Sequence, residues 1–345
     1  MSMERRDAII AELETTLKTR LICYLTGDRP GGMETQMGGD VIPRFRRHLE
    51  AIGEVESLTL FLYSRGGDTN VPWRLVNLVR EYSRQFNVLV PFRAHSAATL
   101  LSLGADKIIM GKMGELSSVD PSVANPFNPP DPMNPAARVP IGVEDVNAYR
   151  DLARRFGVKD DNAQLSAQVF LALASKVDPL ALGNVERSYN QIRKLAEDLL
   201  RLHTKAESDK DKVSDIVKIL TERLYSHAHL INRREASRLG LRVEIADKAL
   251  DSAQWELFSE YSTEMELDRP FNAPQLLGDQ TSMRVELKRA FIESRNTTDL
   301  YLTEGTITRP TPGTVQLPPG IQLPPGMQAI QVAFQIESDG WKVAR

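Results

Sequence analysis

LTLFLYSRGGDTN (58–70) and NVLVPFRAHSAATLLSLGADKIIMG (87–111) decide how this chain folds. Each opens on an apolar run, LTLFLY (58–63) and NVLVPF (87–92), of the length and composition of a buried strand. Each then turns through small residues into a helix-like stretch. VPWRLVNLVREYS (71–83) follows the first turn, with Pro72 placed for a first helical turn, and SAATLLSLGA (96–105) follows the second. KIIMG (107–111) reads as a further strand. Gly66-Gly67 and Ser96 therefore occupy matching places, each past a strand and ahead of a helix. Acyl-transfer chemistry needs that layout: a nucleophile at a helix start, and a nearby turn whose N–H groups can hold an oxyanion.

Outward from this block the alternation continues. Residues 4–19 carry Ile9, Ile10, Leu13 and Leu17 at helical spacing, RLICYLT (20–26) is strand-like, and DRPGGMETQMGG (28–39) is a glycine-rich loop. A helix through Phe45, Leu49 and Ile52 follows. Strands alternating with helices predict a largely parallel α/β sheet. Residues 121–140 break the pattern with seven prolines and form a long loop. Helical patterns return at 144–156, 165–176, 184–200 and 211–226. INRREASRLGL (231–241) is a short helix ending at Gly240, followed by a strand VEIAD and a helix KALDSAQWELFSEYS. The expected division is a main domain over 1–268 and a β-rich extension over 269–345. Within the extension, the repeated QLPPG of 309–326 reads as a stiff spacer.

Composition narrows the function classes. The chain has 345 residues, 41% hydrophobic and 26% charged, enough to build a core. Net charge is −3, from 43 basic and 46 acidic residues, which disfavours nucleic acid as the main partner. The single Cys23 sits in an apolar run and reads as a buried packing residue. The charged N-terminus lacks the apolar core of a secretory signal. No stretch reaches the ~20 apolar residues of a membrane span, so a cytoplasmic protein without membrane association is expected. Nothing calls for a cofactor. His227 and His229 form an H-x-H pair without further ligands nearby, which reads as helix-end polarity rather than a metal site.

A serine hydroxyl needs a base and oxyanion donors. Gly66 and Gly67 suit the donor role because glycine allows unusual backbone orientations, and Ser96 at a helix N-terminus feels its partial positive charge. The same residues also fit a plain strand-to-helix turn and a helix N-cap.

Three segments carry a resemblance: LYSRGGDT (62–69), AHSAATLLSLGADKIIMG (94–111) with GELSSVDPSV (114–123), and LYSHAHLINRREASRLGLRV (224–243). Over roughly residues 20–250 the chain resembles the Clp/crotonase superfamily, most closely its signal-peptide-peptidase group and the soluble serine dehydrogenase proteinase branch. The resemblance implies a spiral of ββα units, a homo-oligomer and ATP-independent cleavage of a peptide or protein substrate. It implies Ser96 as nucleophile, with Gly66, Gly67 and the Ala97 amide around the oxyanion. The family's base is typically a lysine ahead of a long helix, and Lys176 in ALASKVDPLALG (172–183) fits, with Lys112 and Lys159 as rivals. Such a base must be neutral and hence desolvated. His95 adjoins the serine, but neighbouring side chains point apart, so a supporting or packing role is expected. No histidine lies in 114–123, where the ClpP-type members carry theirs; Asp120 there either orients a base or caps a turn. Where relatives carry proline before the glycine pair, this chain has Arg65, which either loosens the turn or binds an acidic group. Two other readings stay open: an acyl-CoA-binding crotonase-like enzyme, and a degenerate oligomeric scaffold.

Overall fold

The computed structural model describes all residues except 1, 120–121, 124, 135, 159–161, 205–208, 224–228 and 310–331. Asp120, Lys159, His227 and the QLPPG repeat thus lie outside the described residues. The chain begins α1 (Ser2–Leu17), β1 (Arg20–Thr26), α2 (Val41–Ile52), β2 (Val55–Tyr63), α3 (Val71–Tyr82), β3 (Ser83–Val90), β4 (Arg93–Ala94), α4 (Ala97–Leu103), β5 (Lys107–Met110) and β6 (Glu115–Ser117). It continues through β7 (Ser122–Val123), β8 (Ile141–Gly142), α5 (Val143–Arg155), α6 (Ala163–Ala174), α7 (Pro179–Arg201) and α8 (Lys210–Lys218). The remainder is β9 (Leu230–Asn232), α9 (Arg233–Arg238), β10 (Val243–Ile245), α10 (Lys248–Glu264), α11 (Ala273–Leu277), β11 (Ser282–Ser294), β12 (Thr297–Thr308) and β13 (Ala333–Val343).

An eight-stranded sheet organises the molecule in the order β10-β5-β3-β2-β1-β11-β12-β13. The first five strands are parallel; β11, β12 and β13 join antiparallel, β11 pairing directly with β1. Both faces are covered, which is why the central strands read as continuous apolar runs rather than alternating ones. Ile22, Tyr24, Leu58, Leu60, Leu62, Val88 and Val90 face a core shared with α2, α3, α4, α7 and α8. Leu21, Cys23, Leu25, Phe61, Tyr63 and Leu89 face the other core, under α1 and α10. Buried Cys23 is thus a packing residue, as its apolar surroundings in sequence suggest.

The β-rich C-terminal segment exists, but it is built into the main sheet rather than hung from it. Register runs Cys23↔Glu293 through Thr26↔Ala290. Elements differ from sequence expectation mainly at their ends. β3 begins at Ser83 rather than 87, and α7 begins at Pro179 rather than 184, because Asp178 caps Leu180 N–H and Pro179 suits a first helical turn.

A second, small sheet, β4-β6-β9, crosses the carboxyl ends of the parallel strands and is linked to them by a Ser64↔Ala94 bridge. At two or three residues each, these strands are too short to show periodicity in the sequence. In open α/β sheets ligands bind at this carboxyl edge. Here that edge carries Asp28 after β1, Gly66-Gly67 after β2, His95-Ser96 after β3 and β4, and Glu115 after β5.

Candidate active site

Ser96 sits at φ 51°, ψ −116° immediately before α4, one of three non-glycine residues with positive φ among the described residues. Such a conformation costs about 1–3 kcal/mol and persists only where the surroundings enforce it. The enforcing bonds are visible. Ser96 N–H donates to Ser117 Oγ at 2.8 Å, and Ser117 N–H donates to Thr99 Oγ1 at 3.0 Å. Thr99 Oγ1 in turn donates to Ala94 C=O at 2.6 Å. Ala98 N–H bonds His95 C=O and Leu100 N–H bonds Ser96 C=O. Among the described residues the Ser96 hydroxyl has no hydrogen-bond partner, and the residue is half-buried.

The glycine pair splits into two roles. Gly66 (φ 106°) packs against the elbow: a Cβ there would lie 2.8 Å from Ser96 Cβ and 3.1 Å from Ala97 N. Its N–H is taken by buried Ser64 Oγ at 3.0 Å, itself the acceptor of Thr26 Oγ1–H at 2.7 Å. Gly66 is therefore not an available oxyanion donor, contrary to the sequence expectation. Gly67 differs. Met37 is zipped along the turn, its N–H donating to Gly66 C=O at 2.7 Å and its C=O accepting from Asp68 N–H at 2.8 Å. Backbone groups alternate along an extended strand, so Gly67 N–H faces away from Met37. Among the described residues neither Gly67 N–H nor Ala97 N–H donates to a protein acceptor.

A charged row borders the elbow. Tyr63 OH donates to Asp28 at 2.5 Å, Arg93 pairs with Asp28 at 2.6 Å, and Arg93 Nε lies 3.5 Å from Glu115. Glu115 also meets His95 Nε2 at 3.1 Å. Burial pushes the Glu115 carboxyl above its ordinary range, against the pull of Arg93. His95 thus faces Glu115, a polar partner that the sequence did not suggest.

Lys176 is not gathered into this constellation. It is exposed in the α6–α7 connection, and no described side-chain contact joins it to Ser96. α7 instead presents Gln191 to the glycine turn, Gln191 Nε2 donating to Asn70 at 2.7 Å. At 1.5 Å rise per residue, the start of α7 lies about 18 Å along its axis from Gln191. Lys112 is turned to α10, its Nζ 3.6 Å from Asp251. His229 bonds Glu235 at 2.9 Å. Among the described residues no group of three or more His, Cys, Asp or Glu is placed to hold a metal ion.

A Ser–His–Asp row that sequence reading missed lies elsewhere. His48 Nδ1 is 2.9 Å from Ser294 Oγ, and His48 Nε2 is 3.2 Å from Asp299, with Arg44 and Arg47 also on Asp299. All three members are buried, Ser294 at 4% exposure, so no substrate reaches them. The row ties α2 to the β11–β12 turn. No sequence signal could have found it, since His48 lies about 250 residues from both Ser294 and Asp299.

No protein-family model matches the chain. It is 25% identical over 198 residues to an uncharacterised protein of Methanocaldococcus jannaschii, a match covering 57% of each chain. The chain thus spans little more than half the length of that curated relative. Among solved structures it is similar to a membrane-bound stomatin-specific protease carrying a substrate peptide, at 12% identity and a TM-score of 0.37, covering 62% of this chain and 73% of that one. It is also similar to a monofunctional enoyl-CoA isomerase from M. smegmatis, at 13% identity and a TM-score of 0.32, covering 76% and 100%. Among the described residues no single helix is long and apolar enough to cross a membrane; α6 and α7, bent by 105°, pass that test only as a pair.

Proposed function

We propose that this chain is a serine peptidase of the Clp/crotonase type, cleaving peptides through an acyl-enzyme on Ser96. The observation that carries the reading is the Ser96 elbow: a strained serine with an unpaired hydroxyl, packed on Gly66 and flanked by the open N–H groups of Gly67 and Ala97. A peptide lies extended beside the Gly66–Asp68 segment, opposite Met37. Ser96 Oγ attacks the scissile carbonyl as a base takes its proton. The carbonyl oxygen becomes an oxyanion held by Gly67 and Ala97 N–H, and the amine leaves with the proton returned by the base. Water repeats the sequence on the ester and frees Ser96.

Lys176, in the α6–α7 connection ahead of the long helix α7, is the proposed base; to act as one it must lose water beside Ser96 so that it is neutral. Ser96→Ala should abolish labelling by a fluorophosphonate probe. Lys176→Ala should slow labelling by about a hundredfold or more. Equal labelling of Ser96→Ala protein removes the nucleophile, and a loss seen in Lys112→Ala but not Lys176→Ala protein reassigns the base.

One observation favours a second reading. Glu115 is a partly buried carboxyl at the same edge, its proton affinity raised by burial. With the Gly67 and Ala97 N–H groups it suits proton transfer on a polarised acyl thioester, which needs no nucleophilic serine. Calorimetry with acyl-CoA compounds separates the two: saturable heats that persist in Ser96→Ala protein support the thioester.

A further inference from the structure

Arg65 is exposed one residue before Gly66. Among the described residues it forms no ion pair. Other charged groups of this edge have partners: Arg93 lies between Asp28 and Glu115, and the Asp68 carboxylate accepts hydrogen bonds from Asn70 N–H and Nδ2 at 2.9 Å each. Arg65 is thus an exposed guanidinium beside the glycine pair, with five N–H donors to offer.

Its direction follows from the strand. Ser64 points to Thr26, and Gly66 approaches Ser96, both toward the face that α4 covers. Arg65 stands between these two inward-facing positions, just past the end of β2 at Tyr63, and is itself exposed, so its side chain points away from that face. An extended peptide beside this segment alternates in the same way. Side chains on the Ser96 face enter beside α4, and those on the other face meet Arg65. The fork of a guanidinium matches a carboxylate in two parallel hydrogen bonds, which a neutral amide cannot reproduce.

We propose that Arg65 recognises a carboxylate on the peptide, making the preferred substrate one with an acidic residue at alternate positions beside the scissile bond. This inference rests on the peptidase reading. The carboxylate is that of an Asp or Glu side chain or of a peptide C-terminus; the chemistry is shared.

The test scans a single Glu through the positions of a fixed-length peptide, with Gln and Lys at the same places as controls. Each peptide is made with a free and an amidated C-terminus. Cleavage by the wild type is measured as kcat/KM, and binding to Ser96→Ala protein as fluorescence anisotropy, which needs no turnover. Glu should exceed Gln by about fivefold or more at every second position, with the preference shrinking as salt rises. Arg65→Gln should erase the ratio, and Arg65→Glu should shift it toward Lys. A preference that follows the free C-terminus instead of Glu assigns Arg65 to the terminal carboxylate. Equal Glu and Gln binding and cleavage in the wild type, or a ratio unchanged in Arg65→Gln protein, overturns the inference. Binding of acidic peptides through Arg65 with no cleavage by the wild type overturns the peptidase reading and leaves the carboxylate site standing. Cleavage indifferent to charge does the reverse.

Discussion

At Gly66 a single methyl group tests the elbow. Its Cβ would meet Ser96 Cβ at 2.8 Å, at a φ of 106° that side chains rarely adopt. Gly66→Ala should therefore cost about 1–3 kcal/mol of stability and move Ser96 off its donors. Denaturant unfolding should show the first, and a drop of about a hundredfold in fluorophosphonate labelling rate the second. Normal labelling with normal stability would show that the close approach is unnecessary. At Ser64 the hydroxyl takes the Gly66 N–H and the Thr26 proton in a buried position. Ser64→Ala strands both donors, and a loss of about 1–3 kcal/mol is expected in the same unfolding measurement.

At the scale of elements, two helices on the same arm should respond oppositely. α6 has no buried residue, and Phe170 and Leu171 are 58% and 64% exposed. Phe170→Ser should change stability by no more than about 0.5 kcal/mol. Leu199 of α7 is fully buried in the main core beside Gly104, and Leu199→Ala should cost about 2–5 kcal/mol. Similar unfolding midpoints for the two variants would contradict the burial of Leu199 and the exposure of Phe170. The tie between α2 and the β11–β12 turn should report on pH. Burial lowers the His48 pKa, outweighing the pull of Asp299. A buried neutral histidine favours the folded state at pH above the unfolded value near 6.5, and that contribution is lost as pH falls from there through the folded pKa. Burial alone would raise Asp299, but hydrogen bonds from His48 and Arg47 outweigh it and hold its pKa below normal, so its contribution fades only in stronger acid. The denaturant midpoint should fall between pH 7.5 and 5.5, and His48→Gln should flatten that slope. An unchanged slope in the variant would move the effect elsewhere, with His203, also lowered by burial, the next residue to test.

For the whole molecule, the consequence of a shared sheet is that its C-terminal strands are not dispensable. β12 pairs with β13 over almost its full length, and Trp341 Nε1 donates to Asp40 ahead of α2 at 2.8 Å. A chain ending at 309 would expose the twelve-residue edge of β12. Long unpaired edges recruit other chains, so this truncation should raise light scattering at concentrations where the full chain stays clear. A clear, monomeric truncated protein would show that β13 is an independent flap.

LTLFLY and NVLVPF fixed two strands on their own, because a strand buried on both faces must be apolar throughout and short, and SAATLLSLGA after NVLVPF could only be the returning helix. The position of Ser96 past a strand was equally legible, since a local turn is written in local residues. What only the tertiary structure decided depends on partners remote in sequence. Met37 turns Gly67 N–H outward and Ser64 closes off Gly66, so one glycine of an apparently equal pair keeps a free donor. The Ser117 hydroxyl, 21 residues from Ser96, holds the elbow in its strained conformation. The pairing of β1 with β11 joins segments about 270 residues apart into one sheet, which no local periodicity specifies. The motif alone puts Lys176 ahead of a long helix. In space the residue of α7 that bonds the glycine turn is Gln191, twelve residues past the helix start at Pro179, through Asn70.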